Sequence, residues 1–581
     1  MTSLGDMALE LFKSEICSED LPVRIACISR MHVIAHALGK ERALTAFVPL
    51  ITECVKGTFC SDDDEMLLCF AKTLPKLIPF LPDTVGPISL IAPLEYLANQ
   101  DETVIRDAAV ESLGTFITPI CPQEVYVSLI RMFKADWFSP NLSACALAHY
   151  VYPHVSKESR EQIRIFYIAC ANEETPMVKR AAAFHLFQMV AVVEKEYVIS
   201  ELLPIYRAFA SDDTQETVRC SCVSSSLALC EVFVSEAEAN EHVSATIASL
   251  AVDKSWRVRL AIAKVYGKLA KCLGKDTMVS QLLAPLVALM RDQEPDVRKA
   301  AVGALEQTAV LLGADRVSES IVPLFPIIGK DPVQQVRAAL SGCIGRLAEI
   351  LGQGFTLAHL VPLLMESIKD DYPTIRFNAT ASIGTICRVC QSDESTCASL
   401  VTLLHTLSQD GSWRTRLAVL EQIPKLCKMF GKEFFETKLE SLLLSFFGDS
   451  VHAVRAAVTV EIGAVVDLIG EEWTVNHFAA KVLSLYSEGN SYSSRIAILQ
   501  SLPKIASVMN KSHIETLILP TLQKGCTDTV PNVRFVACEV VIALKDKLEQ
   551  SHMETLGLDA LAGDVDRDVR YFATKATTVV I

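Results

Sequence analysis

Tryptophan is scarce in this chain: there are four among 581 residues, and aromatic side chains make up only 7%. Positive charge is also short. Lys and Arg total 54 against 69 Asp and Glu, a net charge of −15 with neutral histidine. A protein that tracks phosphates needs a basic surface, so nucleic acid is excluded as the main ligand and protein partners are expected. No run of about 20 apolar residues suited to spanning a bilayer is found. The most apolar stretch, Leu77 to Leu94, is broken by Asp83 and four prolines, so a soluble chain is expected. The opening MTSLGDMALELFKSE carries acids where a secretory signal has basic residues, so export by that route is not expected.

The nineteen cysteines are an odd number, scattered among small apolar residues as in SACALA and FVACEVV. That usage suits reduced thiols filling core positions, so a cytoplasmic or nuclear location is expected. Catalytic signatures are missing as well. The chain has no G-x-x-x-x-G-K-[ST], no H-E-x-x-H and no G-x-S-x-G, and its twelve histidines show no ligand spacing. Cys387 and Cys390, with Cys397 seven residues on, lack the fourth ligand of a closed zinc site. They read as structural thiols, as do Cys220 and Cys222. No enzyme activity, cofactor or metal is expected.

What the chain has is length and repetition. A single core stops growing near ~250 to 300 residues, so 581 residues require several domains or an elongated repeat. Self-comparison decides for the repeat. An acid followed six positions later by a basic residue recurs in DKSWRVR (Asp253 to Arg259), DQEPDVR (Asp292 to Arg298), DPVQQVR (Asp331 to Arg337) and DDYPTIR (Asp370 to Arg376). It continues in DGSWRTR (Asp410 to Arg416), DSVHAVR (Asp449 to Arg455), DTVPNVR (Asp528 to Arg534) and DVDRDVR (Asp564 to Arg570). Weaker copies end at Arg24, Arg106, Lys179 and Arg219. Those at Leu67 and Ser143 lack the basic residue, and GNSYSSR, ending at Arg495, lacks the acid. The register defines fifteen units with a mean spacing of 39 residues. The widest gap, between the first two, takes in TFCSDDD and implies a lengthened turn.

After each motif comes an Ala- and Val-rich stretch with apolar residues at three- and four-residue steps, as in RVRLAIAKVYGKLAKCLG. Before it comes a second apolar stretch opening near a proline, Pro323 in IVPLFPIIGKD and Pro362 in LVPLLMESIKD, where a first-turn proline is tolerated. Each unit therefore reads as helix A, a turn carrying the motif, and helix B. The Asp is expected to hold the turn through backbone amides. The Val enters the core, and the Arg reaches an Asp or carbonyl of the adjacent unit, making a ladder. A helix pair this small cannot bury its apolar faces alone, so the units must stack. The expected fold is an all-α, α-α superhelix over residues 1–581.

Three of the four tryptophans, Trp137, Trp256 and Trp413, fall inside the turn motif, where solvent is expected. Beside them stand Arg257 and Arg414, and exposed Trp with Arg is the composition of an interface hot spot. The competing reading is that each ring packs on its neighbouring turn. Trp473 begins a helix A and is expected in the core.

The strings KADWFSPNLSACALAHYVYP, ETPMVKRAAA, DKSWRVR, SWRTRLAVLEQIPKL and EFFETKL, in this order on fifteen HEAT-type repeats, resemble the scaffolding A subunits of protein phosphatase 2A. The resemblance implies a noncatalytic scaffold whose turns hold a phosphatase catalytic subunit together with an exchangeable B-type regulatory subunit. It implies that repeats 11–15, residues 397–581, carry the catalytic subunit through Trp413, Arg414, Val451, His452, Tyr492, Arg495 and Val530. Repeats 1–8, residues 1–310, would carry the regulatory subunit through Asp101, Glu102, Trp137, Phe138, Glu174, Thr175, Pro176, Arg180, Trp256 and Arg257. Residues 311–396 would connect the two platforms. His452 stands where the family usually has Tyr, and Ser412 where it usually has Lys, so catalytic-subunit contacts are expected to be retuned. Two other readings compete. A nuclear transport adaptor of HEAT or armadillo type is also acidic and solenoidal. A HEAT-like DNA glycosylase needs a basic concave face that the composition denies.

Overall fold

The structure, a computed structural model, describes residues 4–57, 63–83, 85–233, 235–487 and 491–579. Most of the expected lengthened turn, residues 58–62, lies outside them, as do Gly489 and Asn490 of the acid-lacking motif. Helices and turns account for the described residues, with no strand among them. Two compact units divide the chain, residues 1–297 and 298–581.

In the first unit each motif turn joins two antiparallel helices. Pro122–Phe133 is followed by Phe138–Val151, Lys157–Ala171 by Pro176–Val192, and Leu203–Ala210 by Glu216–Val232. The second helices of successive pairs pack on one another and bury the apolar steps read from the sequence, such as Val258, Ile262, Tyr266 and Leu269 on Trp256–Thr277. Large rings are used sparingly and at the centre. Tyr167, Tyr206 and Tyr266 are fully buried, and each hydroxyl has a partner: Tyr167 donates to the Ala182 carbonyl at 2.6 Å, Tyr266 to the Leu282 carbonyl at 2.6 Å, and Tyr206 meets Ser226 Oγ at 2.7 Å. A buried phenol left without such a partner would be costly.

The second unit repeats the arrangement, with Val361–Ser367 before Pro373–Val389, Glu394–Leu407 before Trp413–Phe430, and Leu519–Cys526 before Pro531–Ala543. Trp473 is buried as expected and its indole donates to Glu436 Oε1 at 2.6 Å.

Pro362 is not at the start of helix A. The helical run begins at Gly352, ten residues earlier, and the proline follows a wide π turn over Thr356–Leu360. Proline lacks the amide that would bond the residue 358 carbonyl, and its ring crowds that carbonyl. Widening the helix by one residue per turn absorbs both effects. Similar wide turns occur at Val198–Leu202 before Pro204 and at Ile514–Ile518 before Pro520.

The junction from one pair to the next is set by glycine. Gly352 has φ 79° and ψ −178°, and Gly470 has φ 99° and ψ 179°, a region essentially closed to other residues. That single residue turns helix B into the next helix A. The run Gln334–Ser367 is long and apolar enough to cross a membrane, but it consists of two helices bent at Gly352, and the first packs on its neighbours in the stack.

The acid–base column forms the ladder. Arg376 places Nε 2.7 Å from Asp410 Oδ2 and Nη2 2.9 Å from Asp410 Oδ1, while its Nη1 donates to the carbonyl of Asp370 in its own turn at 2.8 Å. Asp410 Oδ1 also accepts the Ser412 amide at 2.8 Å. Each Arg thus ties its own turn to the next, and each Asp closes the turn it begins. In the second unit the ion pairs run Arg298–Asp331, Arg337–Asp370, Arg376–Asp410, Arg416–Asp449, Arg495–Asp528 and Arg534–Asp564. In the first unit they run Lys179–Asp212, Arg219–Asp253 and Arg259–Asp292. Arg455 donates to the Asp449 carbonyl at 2.6 Å, and Gly489, which holds the motif's acid position in the next unit of the sequence, lies outside the described residues. Arg106 turns inward onto the carbonyls of Gln100 and Asp101, at 2.8 and 2.5 Å.

Candidate functional site

Where the ladder closes a turn, the residues just after its Asp are presented from a fixed base. In the first unit Asp101 and Glu102 are exposed. Asp101 accepts from Ser139 Oγ at 2.8 Å and from Trp137 Nε1 at 3.3 Å, and these two hydrogen bonds hold its carboxyl below the ordinary value. Trp137 remains 59% exposed, tilted against Phe138 with ring centres 4.8 Å apart. Both readings of that ring hold in part: the edge is tethered to the neighbouring turn and the face is open. Glu174, Pro176 and Arg180 are exposed around the half-buried Thr175, with Arg180 Nε donating to Gln215 Oε1 at 2.7 Å.

Trp256 and Trp413 are the first residues of their helices, and both are half-buried. The Arg257 guanidinium lies 4.9 Å over the Trp256 ring, and the Arg414 guanidinium 4.5 Å over Trp413. Such cation–π stacking contributes about 0.5–1 kcal/mol at exposed sites and holds the planar fork in place. Arg257 is held further, because Glu216 accepts its Nη1 at 3.0 Å and Ser255 Oγ at 2.6 Å. The same Trp–Arg device thus occurs once in each unit.

In the second unit His452 and Tyr492 are exposed first residues of helices, and Val451 and Val530 are half-buried at helix starts with their amides held by Asp449 and Asp528. Arg495 is different. Its fork is engaged by Asp528 at 2.8 and 3.0 Å, and Tyr486 also donates to that carboxylate at 3.0 Å. Arg495 is a positioning residue of the ladder. Burial alone would raise the Asp528 carboxyl, but hydrogen bonds from Arg495, the Val530 amide and Tyr486 outweigh it and hold it below the ordinary value. A cleft of about 260 Å³ opens between neighbouring turns, lined by Asp410, Arg416, Phe446 and Asp449.

Sequence reasoning passed over two residues. Tyr372, 45% exposed with the Arg337 guanidinium 5.4 Å over its ring, extends the aromatic row into the segment read as connecting. Its signal was present, an aromatic inside DDYPTIR, but only tryptophan was weighed at the turns. Glu216 holds Arg257 from the preceding turn, a pairing that only the stack reveals.

All described cysteines are free thiols. Cys387, Cys390 and Cys397 are buried, the Cys397 thiol facing the Cys387 and Cys390 carbonyls at 3.7 and 3.6 Å, and burial pushes the Cys390 thiol up to about 11. Among the described residues no group of three His, Cys, Asp or Glu could hold a metal.

Comparison with known proteins agrees with this arrangement. Residues 275–352 match the family described as PPP2R1A-like HEAT repeat, and residues 360–390 and 518–548 match the HEAT repeat. The Dictyostelium discoideum protein phosphatase 2A scaffold subunit is 36% identical over 196 residues, 33% of this chain and 33% of that protein. The regulatory A subunit of protein phosphatase PP2A from Schizosaccharomyces pombe is 32% identical over 265 residues, 45% of this chain and 44% of that protein. The chain spans a third to a little under half of the length of these relatives. Among solved structures, Kap95p with RanGDP superposes with a TM-score of 0.60 at 12% identity, covering 100% of this chain and 82% of that one. Importin beta gives 0.59 at 12%, covering 99% and 76%. At that identity the likeness is one of fold. The chain is all-α and built of HEAT-type repeats, and over the matched stretches it is similar to phosphatase 2A scaffold subunits.

Proposed function

We propose that this protein is a noncatalytic scaffold that assembles a protein phosphatase 2A complex, holding the catalytic subunit on the turns of residues 397–581 and a B-type regulatory subunit on those of residues 1–310. The observation that carries the reading is the pair of Trp–Arg stacks, Trp256 with Arg257 and Trp413 with Arg414, one on each platform and each presented from a turn locked by the ladder. Relatives whose names state a scaffold or regulatory A subunit support it. Neither platform needs a nucleophile, metal or cofactor, since binding alone is the function. The free thiols fit a reducing compartment, and we place the protein in the cytoplasm with access to the nucleus.

Size exclusion of the purified chain mixed with the catalytic subunit of a phosphatase 2A tests the proposal. Co-elution at equal stoichiometry is expected. Failure to co-elute, together with capture of a small nuclear GTPase in its GTP form, would overturn it in favour of the transport-adaptor reading.

A further inference from the structure

One helix of the first unit departs from the acidic character of the chain. Trp256–Thr277 carries Lys264, Lys268, Lys271 and Lys275, all four exposed. At 3.6 residues per turn Lys264, Lys268 and Lys271 fall within an arc of about 60° and span about 10 Å, and Lys275 follows just past Gly274, where the helix bends. The opposite side of the helix, Val258, Ile262, Tyr266, Leu269 and Leu273, is the buried one. Among the described residues none of the four lysines has an ion pair or side-chain hydrogen bond. That sets them apart from Lys179 and Lys195, which pair with Asp212 and Glu238.

The neighbouring helix does little to neutralise them. In the register that sets Arg219 against Arg259, Ser224, Ala228 and Glu231 of Glu216–Val232 correspond to Lys264, Lys268 and Lys271. At the far end the Glu236 carboxylate lies against Gly274. With Asp276 next to Lys275, three carboxylates therefore stand near four ammonium groups on a protein whose net charge is −15. Lys264, Lys268 and Lys271, like charges at helical spacing, repel one another, and nothing in the packing of the stack requires them.

We propose that this lysine stripe is a docking surface for an acidic protein segment, one that presents about three carboxylates over some 10 Å, as a helix with acids at i, i+4 and i+7 does, with Lys275 flanking it past the bend. The stripe lies on the length of helix B, apart from the turns that carry the Trp–Arg stacks, and the inference stands independently of the phosphatase reading. A protein segment is favoured over nucleic acid because duplex binding draws on a broad basic surface, and the overall negative charge opposes a long polyanion while a short acidic run meets only the stripe.

The test uses the full-length chain and a fluorescent alanine-based peptide with glutamates at i, i+4 and i+7, followed by anisotropy. The wild-type chain is expected to bind the peptide at low salt, with affinity falling roughly tenfold or more as salt rises to physiological strength. Reversing the stripe with K264E, K268E, K271E and K275E together is expected to weaken binding at least ~30-fold. Reversing Lys157 and Lys432, exposed elsewhere, should leave it unchanged. Circular dichroism checks that the variant folds. If the reversed set does not, the corresponding Lys→Gln set takes its place and should also lose binding. Absence of peptide binding to the wild-type chain, or binding that survives both sets, would overturn the proposal. So would tighter binding of a DNA duplex, or of vesicles of phosphatidylserine, than of the peptide.

Discussion

An indole with a guanidinium lying across it offers a partner a large apolar face and a set of charged donors that are already oriented. Little conformational entropy remains to be lost when either is engaged, which is what makes such a residue pair effective at an interface. Trp413→Ala is therefore expected to weaken capture of a phosphatase 2A catalytic subunit by about 2 kcal/mol, roughly 30-fold. The half-buried ring lies at the start of its helix, outside the buried stack, so the melting temperature should hardly move. Calorimetric titration and a thermal melt on the same variant check both halves. A ladder arginine should behave in the opposite way. Arg376→Ala leaves the Asp410 carboxylate in a largely enclosed site with only the Ser412 amide, and is expected to cost about 2 kcal/mol of stability with no direct change at the partner surface. Denaturant unfolding reads that loss.

At the scale of the element, the turn between pairs rests on one glycine. A Cβ at Gly352 meets no atom, so Gly352→Ala carries conformational strain alone, expected at about 1–3 kcal/mol and readable as a lower unfolding midpoint. The helix pairs, the motif turn, the capping Asp and the reach of the Arg to an adjacent unit were all legible in the sequence, though not which neighbour it reaches. Each is written as a short pattern, DxxxxVR against a period of three to four, and each repeats often enough to stand out. The junction glycine was not read, though Gly274, Gly313, Gly352, Gly431 and Gly470 keep the same register, because it sits outside the motif used for alignment. The helix start at Pro362 was misplaced for a different reason. Proline in an apolar run is compatible with a helix start or with a bulge inside a longer helix, and only the backbone path decides. At the turns themselves the residue types were visible but their engagement was not. Trp137, Trp256 and Trp413 look alike in sequence, yet one is tethered to an aspartate of the preceding turn and the other two lie under arginines. Arg495 read as a contact residue, and its fork proves to be held by Asp528.

Over the whole molecule stability is a sum of neighbour terms, since each pair buries its apolar faces against its own neighbours in the stack. Removing residues 397–581 is therefore expected to leave the remaining helices folded, as seen by circular dichroism, while abolishing capture of the catalytic subunit. The ladder also gives the second unit a common pH response. Burial would raise Asp370, Asp410 and Asp449, but arginine and backbone hydrogen bonds outweigh it and hold all three below the ordinary carboxylate value. A carboxyl depressed on folding contributes stability that is complete above its unfolded value and is lost as pH falls through the folded one. The melting temperature is thus expected to hold near neutrality and to fall progressively below pH ~4, a trend that a series of thermal scans would reveal. The ladder has one more property. Every arginine that forms a rung reaches toward the following aspartate and never back, so the column has a polarity, and an aspartate within the paired run is an equivalent seam. A chimera cut at Asp370 and rejoined at Asp410 deletes one whole rung yet offers Arg337 the same acceptor, whereas a cut made midway between them strands one arginine and one carboxylate together. Whole rungs are the unit by which such a chain can be lengthened or shortened without rewriting the sequence on either side.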